Sequence, residues 1–260
     1  MYGGAVPDAL TTLCRLLASL HDEHGDPAVV GLVAGSAEAL ELSPVRLRRD
    51  AGVLDGVQLI GTGPLTERLW ARPAISVIGI DAPSVAEASN TLVPAARATV
   101  SMRVAPGDDA ARARAALEAH LRTHVPWGAQ VTVEPGRSAA AFTARTDGPA
   151  YQAARFAFAQ AWGTPAVEIG VGGSIPFVAP FAEMLPDAEI LITGVEDPDS
   201  RAHGDNESLH LAMFECACLA EALLLQRLGE NRRTARPIRL TAPPRRDTPT
   251  DVQDAHDLSR

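Results

Sequence analysis

The sequence predicts a mixed α/β chain in two parts: an antiparallel sheet covered by helices, then a shorter alternating α/β unit. Three observations carry that reading. ARATVSMRVAP at 96–106 alternates apolar and polar residues, the mark of a half-buried strand. AVEIG and EILITG, at 166–170 and 189–194, are short continuous apolar runs of the buried-strand type. The first part orders as helix, strand, strand, strand, helix, strand, which suits an antiparallel sheet with helices on one face.

The elements follow in order. Residues 7–20 read as a helix, with Pro7 in the first turn and Leu10, Leu13, Cys14, Leu17 and Leu20 at helical spacing. HDEHGD breaks it, and AVVGLVAG reads as a strand. Residues 36–74 hold scattered Gly and Pro, an RLRRD cluster and a short VQLIG strand. ISVIGIDA at 75–82 is a strand, 96–106 is the next, and Asp108 or Asp109 caps a helix to about Thr123. AQVTVEP at 129–135 is the last strand of this part. Gly148-Pro149 then opens a helix that stops at Trp162-Gly163. A helix over 207–227 carries Leu209, Met213, Cys216, Ala220 and Leu224 along one stripe. The Arg-, Pro-, Asp- and Thr-rich stretch after Glu230 predicts a disordered tail.

Bulk composition narrows the function. The chain has 260 residues, 46% of them hydrophobic, enough for one or two cores. Its net charge of −9 argues against a general nucleic-acid binder. Every basic residue other than His is Arg. Cys14, Cys216 and Cys218 follow no disulfide framework and read as free, buried thiols of a reducing compartment. The opening MYGGAVPDAL has neither a basic stretch nor an apolar core of the secretory kind, and no apolar run reaches the roughly 20 residues of a membrane span. The expectation is a cytoplasmic protein.

Three segments can carry chemistry. Arg201-Ala-His203-Gly-Asp205-Asn206-Glu207 lies between a buried-type strand and an amphipathic helix, where α/β proteins place sites. His203 can offer an imidazole to a metal, Asn206 can cap the next helix, and Glu207 suits its first turn. A hydrogen-bonded or solvated His is the plainer alternative. Gly170-Val-Gly172-Gly173-Ser174-Ile-Pro176 could form an anion nest through Gly172, Gly173 and Ser174, or a simple tight turn. It lacks the third Gly of a dinucleotide fingerprint and the Lys of a phosphate loop. Asn90-Thr-Leu-Val-Pro94 leads into Ser101-Met-Arg103, where a strand Arg could grip a carboxylate or simply face solvent. HDEHGD is a poor metal box, because its potential ligands sit in one turn without a third partner.

In this order, Asn90 with SMRVAP, then GGSIP, then AHGDNE resemble one family closely. It comprises the carnosinase-like dipeptidases, aminoacylases, acetylornithine deacetylases and glutamate carboxypeptidases, which are dinuclear-zinc hydrolases. The opening YGGAVPDAL is similar to the dipeptidase branch, and the resemblance covers roughly residues 1–228. It implies a lid domain over 1–142, with a four-stranded antiparallel sheet and two helices. It further implies the C-terminal segment of an α/β zinc-peptidase catalytic domain over 143–228, with 229–260 as tail. It implies His203 as a metal ligand. Arg103, Asn90, Gly172, Gly173 and Ser174 become substrate-binding positions, with Asn90 often serving the partner subunit. The implied cofactor is a pair of zinc ions, with manganese or cobalt as alternatives. The implied substrate is a small peptide or N-acyl amino acid, and the implied assembly a homodimer through the lid.

Two departures accompany the resemblance. Val171 stands where an acidic residue often precedes GGSIP. The family's H-x-D, bridging Asp, Glu-Glu pair and further carboxylate have no match in these 260 residues. A structural zinc site with about four ligands binds with roughly 10–16 kcal/mol, which one imidazole cannot approach. The expectation is therefore no catalytic residue in this chain, weak or absent metal binding by it alone, and activity only with a separate N-terminal half. The alternative is a non-catalytic dimerisation or carboxylate-binding module derived from that family.

Overall fold

A computed structural model of the chain describes residues 2–37, 40–172, 175 and 177–234, the last four by main chain only. Six α-helices and two strands appear among them: α1 (Ala9–Ala18), α2 (Pro44–Asp50), β1 (Ala74–Asp81), β2 (Arg97–Arg103), α3 (Ala110–His124), α4 (Pro149–Trp162), α5 (Val178–Met184) and α6 (Leu211–Thr234). A π-helical turn spans Glu67–Ala71. The class is the expected one, mixed helix and sheet with a small antiparallel sheet.

The sheet is a β1–β2 pair running from Ala74↔Arg103 to Asp81↔Arg97, with a bulge between Val77 and Gly79. Four strands were expected, and two form a ladder among the described residues. The 28–35 run gives its backbone groups elsewhere. Val33 N–H donates to Asp108 Oδ2 at 3.0 Å, Arg112 takes the Gly31 carbonyl, and Gly31 turns at φ 95°. The 129–135 run also lies outside the ladder, yet Val131 and Val133 pack into the core. Burial is non-directional, so these valines leave water without strand pairing. VQLIG is no strand either. Arg48 and Arg68 hold its Val57 and Ile60 carbonyls from the side.

The first core lies between the hairpin and its helices. Leu16 and Leu20 of α1, Val29, Ile75 of β1 and Leu121 of α3 are buried together, with Val100 and Met102 of β2 against them. Burying each such aliphatic side chain contributes about 1.5–3 kcal/mol. Asp8, not Pro7, defines the start of α1: its carboxylate accepts from Thr11 N–H at 2.9 Å and from Val93 N–H at 2.6 Å. Asp109 caps α3 through Arg112 N–H at 2.7 Å.

The second core packs α4 on α6. Ala153, Ala154 and Ala157 of α4 meet Leu224 of α6, with Phe158 and Leu191 alongside. The small alanines let the helix axes approach closely. α4 begins at Gly148-Pro149 and ends at left-handed Gly163, as expected. Glu189 accepts from Ala150 and Tyr151 N–H at 3.0 and 3.2 Å, and Tyr151 Oη donates to the Ile190 carbonyl at 2.8 Å. The runs 166–170 and 189–194 carry no strand pairing among the described residues. Val167 and Ile169 are 65% and 61% exposed. A buried-type strand needs neighbours on both sides, and none is described here.

Three smaller expectations need correction. α6 starts at Leu211, not 207, and the His210 carbonyl accepts from Phe214 N–H at 3.0 Å, so Asn206 and Glu207 lie before the helix. α6 also runs to Thr234, past 227, and residues 235–260 lie outside the described ones. The cysteines are not buried: Cys14 and Cys218 are exposed and Cys216 is half-buried.

Candidate substrate-binding and metal-ligand site

Arg103 ends β2, opposite Ala74. Its guanidinium is half-buried and reaches two main-chain carbonyls: Nη2 donates to Arg68 O at 2.7 Å and Nη1 to Gly172 O at 3.2 Å. Its Nε is buried with no partner among the described residues. Burial pulls the guanidinium's pKa below the ordinary arginine value. No described carboxylate lies within ion-pair distance of it. A cation this far withdrawn from water is stabilised by an anionic partner.

The glycine turn meets Arg103 at close quarters. A Cβ on Gly172 would lie 2.5 Å from Arg103 Nη1 and 3.2 Å from Leu69 O, so a side chain there would push the guanidinium aside. A Cβ on Gly170 would overlap the Trp70 side chain. The structure therefore unites two of the sequence-predicted positions, Arg103 and Gly172. Gly173 and Ser174 lie outside the described residues. Val171 is exposed.

Asn90 is exposed in the loop that joins β1 to β2. That loop leaves the Asp81↔Arg97 end of the hairpin, whereas Arg103 sits at the Ala74 end. At about 3.3 Å per residue the two ends are roughly 20 Å apart. No hydrogen bond joins Asn90 to Arg103 among the described residues.

His203 lies in a loop braced from inside. Ser200, 2% exposed, donates to Asp197 Oδ1 at 3.1 Å and accepts Asp197 N–H at 3.0 Å. Its carbonyl accepts Ser208 N–H at 2.9 Å, closing the loop. Arg201, His203 and Asn206 all take left-handed backbone, at φ 55°, 62° and 58°. The His203 imidazole is exposed and makes no hydrogen bond among the described residues. No hydrogen bond joins it to Arg103 or Gly172.

The described residues do not by themselves fit a zinc site. No three His, Cys, Asp or Glu side chains among them come close enough to hold a metal ion. Zinc takes about four ligands, at least three of them from protein. HDEHGD, in contrast, is a structural turn: Asp22 Oδ1 accepts from His24 and Asp26 N–H at 2.9 and 3.0 Å, and His21 Nε2 meets the Ile75 carbonyl at 3.1 Å.

Residues that sequence reasoning missed lie around Arg103. Arg68 grips the Ile60 and Gly63 carbonyls at 3.0 and 2.9 Å, Arg72 pairs with Glu67 at 2.6 Å, and Trp70 abuts Gly170. The one sequence signal was Pro73, which ends a helical turn. His120, on α3, is buried.

Residues 1–129 match the dimerisation domain of the M20 peptidases. Over these residues the chain belongs to the M20 peptidase dimerisation-domain family. It is 36% identical over 233 residues to a cysteinylglycine-S-conjugate dipeptidase of Corynebacterium striatum, covering 88% of this chain and 51% of that protein. Its fold is like that of the di-peptidase Dug1p of Saccharomyces cerevisiae, with TM-score 0.76 and 23% identity over 88% of this chain and 50% of that one. Human carnosine dipeptidase 1 is similar in fold, with TM-score 0.72 and 22% identity over 88% and 51% of the two chains. So is the M20 metallo-carboxypeptidase Sso-CP2 of Sulfolobus solfataricus, at 0.69 and 18% over 87% and 54%. The chain spans about half the length of the curated relative it matches. No helix among the described residues is long and apolar enough to cross a membrane.

Proposed function

We propose that this chain supplies the substrate-carboxylate grip, one metal ligand and the dimer contact of a zinc-dependent dipeptidase, and hydrolyses nothing alone. One observation carries this: Arg103 holds a half-buried guanidinium, without a carboxylate partner among the described residues, against the carbonyl of Gly172. A substrate's terminal carboxylate could take both Nη groups in a bidentate pair, the geometry arginine favours. Gly173 and Ser174, the next residues after Gly172 in sequence, are proposed to complete the grip. The substrate class is a small dipeptide or N-acyl amino acid with a free carboxylate, in keeping with the Corynebacterium relative's name.

His203 contributes one ligand to a pair of zinc ions. The other ligands and the general base come from a polypeptide carrying the H-x-D and Glu-Glu motifs, and the assembly is cytoplasmic. Homodimerisation runs through β1, which exposes Val77, Ile78 and Ile80. Asn90, in the loop that leaves the hairpin at the end away from Arg103, serves the partner subunit's site.

Calorimetric titration of the purified chain with glycylglycine, in chelator, tests the grip. Free glycylglycine binds, while its C-terminal amide and the Arg103→Ala variant do not. Equal binding by the amide, or by Arg103→Ala, overturns the reading. Turnover of dipeptides by the chain with zinc alone would overturn its dependence on a second polypeptide. The alternative, a non-catalytic carboxylate-binding or dimerisation module, shares the exposed β1 and Arg103. Failure to take up stoichiometric zinc when combined with a polypeptide carrying the missing motifs would favour it.

A further inference from the structure

The carbonyl that receives Arg103 is left free by the chain's own sequence. Over Glu67–Ala71 the helix widens to a π turn, so Arg72 N–H donates to Glu67 O at 2.9 Å rather than to Arg68 O. The partner that a π turn would give Arg68 O is the N–H of residue 73. That residue is Pro73, which has none. Arg68 O is thereby orphaned within its helix, and a lone buried carbonyl seeks an outside donor. Arg103 Nη2 supplies it at 2.7 Å.

The same turn reaches the glycine segment. Leu69 O lies 3.2 Å from where a Gly172 Cβ would stand, and Trp70 fills the space beside Gly170. From the opposite side, the Arg68 guanidinium anchors the turn to the Ile60 and Gly63 carbonyls. One five-residue π turn thus meets both halves of the grip. Such turns recur at functional sites.

We infer that Pro73 and Trp70 are positioning residues: Pro73 keeps the Arg68 carbonyl open for Arg103, and Trp70 sets the Gly170–Gly172 turn against the guanidinium. This rests on the reading of Arg103 as the carboxylate grip. Pro73→Ala puts an N–H at residue 73 that competes for Arg68 O. Trp70→Ala empties the contact with Gly170, and Trp70→Phe refills part of it.

The Nε–H resonance of Arg103 in the arginine-labelled chain, identified by its loss in Arg103→Lys, reports the guanidinium directly. Glycylglycine titration reports the grip. Pro73→Ala and Trp70→Ala should each make that proton exchange faster and weaken glycylglycine binding about tenfold, roughly 1.4 kcal/mol. Trp70→Phe should recover much of the affinity. An Arg103 resonance unchanged in shift and exchange in both variants overturns the inference. Should glycylglycine bind not even the unaltered chain, the carboxylate reading fails, and the resonance alone decides the positioning. If Pro73→Ala does not fold, the Trp70 pair decides it.

Discussion

Ser19 Oγ and His120 Nε2 meet at 3.1 Å, joining the end of α1 to the middle of α3. His120 is buried and stacks on His124 with ring centroids 3.9 Å apart. Burial, then the neighbouring His124, lower its pKa from the ordinary 6.5, and the Ser19 contact opposes them. The unfolded chain therefore takes up the proton first as pH falls. Stability linked to His120 is complete above about pH 6.5 and is lost below it, down to the lowered folded value. The melting temperature should fall between pH 7 and pH 5, and His120→Asn should flatten that fall. An equally steep fall in the variant would remove His120 as its source.

The α4–α6 contact rests on side chains without spare room. Ala157 and Ala220 are 0% exposed. Ala157→Leu should overpack the interface at a cost of about 1–3 kcal/mol. Leu224→Ala should leave a cavity costing about 2–5 kcal/mol. Urea unfolding measures both, and values near zero would mean that the helices do not pack there.

Glu189 closes the N-terminus of α4 through two N–H groups. Glu189→Ala should cost about 0.5–2 kcal/mol, the range for a lost helix cap. Gly148→Ala should also destabilise, because its Cβ would overlap the Glu189 carboxylate. Thermal unfolding of the two single variants and the double checks the link. Strictly additive losses would separate the two residues.

β1 leaves Val77, Ile78 and Ile80 open to solvent, Ile78 at the bulge. Replacing Ile78 and Ile80 together by Glu should halve the mass measured by light scattering while leaving the circular dichroism unchanged. A mass equal to that of the unaltered chain would place the dimer contact elsewhere.

What was legible in the sequence followed local rules. Asp109, Gly148-Pro149 and Gly163 mark helix ends because each satisfies or frees a backbone group within a few residues. SMR was legible as a strand from its period of two. AVEIG misled as a buried-type strand, because a ladder is a relation between segments that no single run encodes, and Val167 and Ile169 are exposed. The burial of His120 was not legible, because α3 is polar in sequence and only the fold lays α1 over it. In the site, Arg103 and Gly172 were singled out separately, and their contact across 69 residues could not be read from either. The π turn escaped notice because it depends on one missing N–H, at Pro73, and on a recipient far along the chain.

The left-handed backbone at His203 has a bearing on how tightly that loop could capture anything. A non-glycine residue in this region gives up about 1 kcal/mol or more relative to relaxed backbone. Ser200 and its bonds hold that tension in place during folding, before any ligand arrives. The loop's main chain is thus a cocked latch: its conformational toll is settled within the fold, although the exposed His203 ring itself has no hydrogen-bond partner among the described residues.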